Sequence, residues 1–174
     1  SLDFRSGSGA VPNAEDAERL IGPKTRAIVL ISPNNPTGAV YPAETIHAFF
    51  ALAQRRGIAL ILDETYKDFL PEGVRPHSLF ADPAWRGTLV HLYSFSKVFA
   101  LTGYRVGGVT AGAPLIAEIE KAMDCVSICP PRLGQEAALY GLQNLLPWAR
   151  RNTEGLKARA DLLFFGGIGT FVRA

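Results

Sequence analysis

Ala27-Ile28-Val29-Leu30-Ile31 is an unbroken apolar run that stops at Ser32-Pro33. Ile58-Ala59-Leu60-Ile61-Leu62 is a second such run, and it stops at Asp63-Glu64. Neither alternates apolar with polar residues, as a strand with one wet face does. Each is therefore predicted to be a strand covered on both faces. Between them, Pro42 to Arg56 carries Ile46, Phe49, Phe50 and Ala53 at helical spacing. Pro42 suits a first turn and Gly57 a helix end. Strand, amphipathic helix, strand is the pattern of an α/β protein. It predicts a three-layer sandwich around a mostly parallel central sheet.

Working outward, Thr88 to Tyr93 and Val106 to Ala111 read as a third and a fourth strand. Helical patterns follow at Leu115 to Met123, Leu133 to Leu145 and Trp148 to Phe164. Asn13 to Leu20 reads as a short helix capped by Asn13. Ile168 to Val172 is read as a last strand. The 174 residues suffice for one domain with a real core. A net charge of +2 argues against nucleic acid as a partner. No apolar run reaches the length of a membrane span, and no signal peptide is expected. Cys125 and Cys129 are the only cysteines, and two thiols make no metal site. They are expected to be partly buried free thiols in a reducing cytosol.

In such sheets ligands bind beyond the carboxyl ends of the strands. Three polar segments follow three of the predicted strands: Asn34-Asn35-Pro36-Thr37-Gly38, Asp63-Glu64-Thr65-Tyr66, and Ser94-Phe95-Ser96-Lys97. Their convergence predicts one site. Lys97 lies in a mostly apolar stretch, so it is expected to be buried, and burial would help its amine lose a proton and attack an aldehyde. Arg105, with the Ser94 and Ser96 hydroxyls, can hold a phosphate. Pyridoxal 5′-phosphate carries both an aldehyde and a phosphate. Asp63 could keep a pyridine nitrogen protonated, which lets the ring withdraw electrons. It could equally cap the turn that follows. Tyr66 could donate to a phenolate oxygen, or be a core aromatic with a satisfied hydroxyl. Asn35 could donate to the same oxygen, or Asn35-Pro36 could be a plain turn, with a cis bond plausible there.

Together these residues resemble the class I/II aminotransferases, the fold-type I pyridoxal-phosphate enzymes of the aspartate aminotransferase superfamily. The Asn-Asn-Pro-Thr-Gly turn, the Asp63-x-x-Tyr66 strand end and the Ser94-x-Ser96-Lys97 segment with Arg105 occur in the family's order. The resemblance runs from about Thr25 to Gly141 and takes in Cys129 to Glu136. It implies that Lys97 is the Schiff-base lysine and proton shuttle. It implies that Asp63 partners the pyridine nitrogen, that Tyr66 and Asn35 bind the phenolate oxygen, and that Ser94, Ser96 and Arg105 bind the phosphate. The implied reaction moves an amino group from an amino acid to a 2-oxo acid. A cytoplasmic homodimer is implied as well. A lyase or decarboxylase on the same fold would use the same cofactor residues, and a non-catalytic fragment would keep them as inheritance.

Family members are about twice this long. Residues 1–160 are accordingly read as a partial large cofactor domain and 161–174 as the start of a small C-terminal domain. Residues are expected to be missing around Leu162 to Gly167. Before Thr25 there is neither a glycine-containing phosphate loop nor a ring-stacking aromatic, and Arg173 is not assigned the substrate carboxylate.

Overall fold

The computed structural model describes residues 11–165. The first apolar run forms β1 (Ala27–Ile31) and the second forms β2 (Ala59–Asp63). They pair in parallel, Ile31 beside Asp63. Helix α2 (Ala43–Arg56) crosses between them and buries Ile46, Phe49, Phe50, Leu52 and Ala53. Gly57 ends it in the left-handed conformation, φ 62°, and its N–H caps the carbonyls of Ala53 and Gln54. The short helix α1 (Ala14–Leu20) precedes β1, and the Asn13 side chain accepts a hydrogen bond from the Glu15 N–H at 2.7 Å.

Strand β3 (Leu89–Ser94) lies parallel to β2, with Asp63 beside Leu92. Strand β4 (Gly107–Thr110) is antiparallel to β3 and completes the order β1-β2-β3-β4. Its direction follows from its connection: β3 reaches β4 through a loop with one short 3-10 turn, too little for the helical crossover that a parallel partner needs. Gly107 lies so close to β3 that a Cβ there would meet the Tyr93 carbonyl at 2.7 Å. Helices α3 (Ala113–Val126), α4 (Arg132–Asn144) and α5 (Leu146–Phe165) follow.

The main core joins α2 to one face of the sheet through Leu30, Leu60, Leu62, Leu79 and Leu89. A second cluster joins Val98 and Phe99 to Ala149 of α5, with Phe95 and Trp148 against it. On α4, a Cβ added at Gly141 would sit 3.1 Å from the Phe99 ring, so helix and loop meet closely there. Burial on both faces holds less well at the sheet's margins. Val29 of β1 is 60% exposed, and all of β4 is exposed. Both cysteines are free and exposed, which corrects the expectation of partial burial. They lie at the end of α3 and in the turn beyond it, where no buried residue of α3 draws them inward. The strand expected at Ile168 to Val172 lies outside the described residues, as does the Gly166-Gly167 end of the stretch where residues are expected to be missing; its other part, Leu162 to Phe165, ends α5.

Candidate active site

Because β1, β2 and β3 run parallel, their carboxyl ends lie at one edge of the sheet, and the three polar segments leave from that edge. Asp63 is the last residue of β2. Its carbonyl accepts the Ser32 N–H from the β1 side at 3.0 Å, and the next residue, Glu64, donates its N–H to Leu92 of β3 at 3.0 Å. The strand end is thus held from both sides. Asp63 Oδ1 accepts the Thr65 N–H at 2.9 Å, so the turn-capping role is real. Oδ2 accepts no hydrogen bond among the described residues. One oxygen shapes the turn and the other remains available to a donor.

That turn delivers Tyr66, which packs against Phe69 with ring centroids 6.0 Å apart. The Lys97 ammonium lies 5.8 Å from the centroid of the Tyr66 ring. Two of the predicted residues, from different strand ends, therefore meet. Lys97 itself is exposed, which corrects the expectation of burial. Its neighbours Ser96, Val98 and Phe99 are the buried ones. The loop turns tightly after β3, and the apolar side chains that made the stretch look buried go inward and leave the lysine outside. Val98 and Phe99 clamp the loop from beneath, which fixes where Lys97 emerges.

Ser94 Oγ accepts the Ser96 N–H at 3.2 Å. The Ser96 carbonyl accepts the Thr102 hydroxyl at 2.9 Å, and the Thr102 carbonyl accepts Arg105 Nη1 at 3.0 Å. Thr102, given no role from the sequence, therefore links the serines to the arginine. Ala100 and Arg105 both have positive φ, 54° and 52°. Such a conformation is uncommon outside glycine and costs on the order of 1 kcal/mol. Arg105 is exposed and has no carboxylate partner among the described residues. Asn35, on the β1 loop, is exposed and makes no side-chain hydrogen bond to the other predicted residues. Its bond to Pro36 is cis. The preceding Asn34 does the local work there, accepting the Thr37 hydroxyl at 2.8 Å.

Sequence reasoning missed two polar clusters. Glu64 is 3% exposed and lies under the strand end. Nε2 of His91 and Nε2 of His77 sit 2.9 and 3.4 Å from its Oε2. Burial pushes the Glu64 carboxyl up, but His77 and His91 beside it outweigh that effect and leave it at about 2. Such a group adds stability above its ordinary carboxylate range and loses it as pH falls toward about 2. The second cluster joins Tyr93 of β3 to Asp68, just after Tyr66: the Tyr93 hydroxyl donates to Asp68 Oδ2, and Lys67 Nζ lies 3.0 Å from Oδ1. Burial first, then the Asp68 carboxylate, raise the Tyr93 phenol well above its usual range. His91 in an apolar strand was the one available signal; Asp68 and His77 gave none.

A cavity of about 770 Å³ lies between the turn at Lys67 to Val74 and α5, near Arg150 and Glu154. None of the predicted site residues lines it, and the chemistry of the strand ends is the better guide to the site.

The model of the family "Aminotransferase class I and II" matches residues 7–165. The chain belongs to the class I and II aminotransferases. The arginine–pyruvate transaminase of Pseudomonas aeruginosa is 37% identical over 164 residues, which is 93% of this chain and 41% of that protein. The aspartate/prephenate aminotransferase of Thermus thermophilus is 35% identical, with 91% and 41% covered. Among solved structures, a Thermus thermophilus aspartate aminotransferase double mutant superposes with a TM-score of 0.82 at 32% identity, covering 94% of this chain and 44% of that one. The chain spans about 40% of the length of the curated relatives it matches. These aminotransferases depend on pyridoxal phosphate.

The donor set fits that cofactor. An exposed amine, two serine hydroxyls and a guanidinium with no carboxylate partner among the described residues suit an aldehyde and a phosphate. Asp63 Oδ2 suits a ring N–H. Replacing Arg105 with alanine is expected to remove a charge-assisted phosphate contact of about 1.5 kcal/mol, toward the low end because the site is open. Cofactor affinity should fall roughly tenfold. A spectroscopic titration with pyridoxal phosphate measures this, and parental affinity would contradict the phosphate role.

Proposed function

We propose that this chain is the part of a pyridoxal-phosphate-dependent aminotransferase that binds the cofactor, and that the intact protein transfers an amino group from an amino acid to a 2-oxo acid. The observation that carries this reading is Lys97 standing over Tyr66 at the strand ends, one residue run away from Ser94, Ser96 and Arg105. When bound, the cofactor supplies an aldehyde to take up the amine and a ring that draws off electrons. Lys97 would hold the cofactor through its amine and, as a general acid/base, would move a proton at the substrate Cα. Asp63 accepts the ring N–H and holds that proton in place. Tyr66 and Asn35 donate to the phenolate oxygen. Ser94, Ser96 and Arg105 bind the phosphate and fix the ring's orientation.

Residues 1–160 are assigned to the large domain and 161–174 to the beginning of the small one. A homodimer in the cytoplasm belongs to the same proposal and rests on the family resemblance. Among the described residues no helix is long and apolar enough to cross a membrane. The test is 2-oxo acid production by the intact protein with and without an added 2-oxo acid acceptor. Sustained turnover should require the acceptor. Turnover independent of it would replace transfer with elimination or decarboxylation.

A further inference from the structure

Along β2, Leu60 and Leu62 face the main core, and the alternation brings Glu64 to the same face. Asp63 points to the other. A third leucine would suit the Glu64 position better for stability alone. Burying a carboxylate costs several kcal/mol even when it is paired, and a buried ion pair is poor support for a purely stabilising role. Yet the chain places a carboxylate there and brings two imidazoles to it from separate elements. His91 comes from β3, and His77 from the loop before the short turn at Leu79. Nδ1 of His77 accepts the Leu79 N–H at 3.1 Å, so its proton is on Nε2, which lies 3.4 Å from Glu64 Oε2 without completing a hydrogen bond. Phe80 lies against both imidazoles, at 5.8 and 5.5 Å.

A metal does not explain the cluster. Both Nε2 atoms lie within 3.4 Å of one carboxylate oxygen, and no set of side chains able to hold a metal occurs among the described residues. Glu64 Oε1 and His77 Nε2 are both buried with no hydrogen-bond partner, so the Glu64 carboxylate keeps a charge that its one hydrogen bond, to His91, does not fully satisfy. That charge sits one residue from Asp63. The Glu64 carbonyl also accepts the Lys67 N–H at 3.0 Å, in the turn that carries Tyr66.

We infer that Glu64, His77 and His91 form a buried positioning cluster for the active site: they fix the β2 end that presents Asp63 and Tyr66, and they set the field behind the Asp63 carboxylate. The inference rests on the aminotransferase reading, since Asp63 needs a ring nitrogen to act on. The titratable groups around Glu64 are His91 from β3, His77 from its loop and Asp63 on its own strand; the Lys67 amine is paired with Asp68. Removing the Glu64 charge makes the surroundings of Asp63 more positive. A protonated ring nitrogen then becomes harder to keep, and its titration moves to lower pH.

The experiment uses the intact holoenzyme with pyridoxal 5′-phosphate and the variant Glu64→Gln. We expect kcat to fall roughly tenfold with KM nearly unchanged, the sign of misplacement rather than lost binding. The pH dependence of the cofactor's visible absorption should move down by up to about one unit. A melting curve confirms folding, and His77→Gln is read in the same way should Glu64→Gln fail to fold. A lowered melting temperature with parental kcat and an unmoved absorption profile would make the cluster merely structural and overturn the inference. Failure of the aminotransferase reading is distinct: the parent itself would then bind no cofactor or transfer no amino group.

Discussion

Lys97→Ala is expected to abolish amino transfer while leaving the fold intact. Lys97 is exposed, and among the described residues its ammonium contacts the Tyr66 ring. An exposed cation–π contact is worth about 0.5–1 kcal/mol, so the melting temperature should hardly change. The chemistry has no comparable substitute. In the proposed reaction the amine is both the covalent anchor and the general acid/base, and general acid/base work alone contributes about 10²–10⁴-fold. A loss of at least about 10³-fold in kcat is expected. The lysine-dependent absorption band of bound pyridoxal phosphate should vanish with it. The contrast between an unmoved melting curve and a lost rate is the diagnostic. Turnover retained by the alanine variant would end the covalent model.

The exposure of Lys97 also marks where sequence patterns stop being informative. Apolar composition is a sound guide in regular elements. Phe49 and Ile46 were readable as core because α2 repeats every turn, and Gly57 marked its end through a conformation few other residues adopt. It is a poor guide in a tight loop, where neighbouring side chains have no fixed period. There Val98 and Phe99 turn in and Lys97 turns out. The direction of β4 had a similar origin. Its apolar pattern marks a strand, but orientation depends on the connection, which is short and leads back along β3. The site's outline was legible because its residues sit at fixed offsets from strand ends. Its support was not. His77 reaches Glu64 from a loop with no periodicity, and Asp68 meets Tyr93 across 25 positions. Thr102 could be quoted from the sequence, but its link from Ser96 to Arg105 exists only in the folded loop.

Asp63 has one job in this structure and a second in the proposed reaction, and two substitutions separate them. Its Oδ1 caps the turn through the Thr65 N–H, and Oδ2 is open to a ring nitrogen. Asp63→Ala removes both. Losing the cap should destabilise the protein by about 1 kcal/mol, and losing the charge should weaken the electron sink. Asp63→Asn keeps an oxygen for the Thr65 N–H and removes only the charge. Its amide cannot hold a proton on the ring as a carboxylate does. Both variants should therefore lose kcat by roughly 10²–10³-fold, the range for removing one preorganised electrostatic group. Only Asp63→Ala should also lower the melting temperature. Cofactor affinity should change little in either, because Lys97 and the phosphate-binding residues remain. If the residue served the turn alone, Asp63→Asn would keep nearly parental kcat while Asp63→Ala unfolded more readily. Stopped-flow single turnovers with a saturating amino acid donor, set beside the two melting curves, decide between these outcomes.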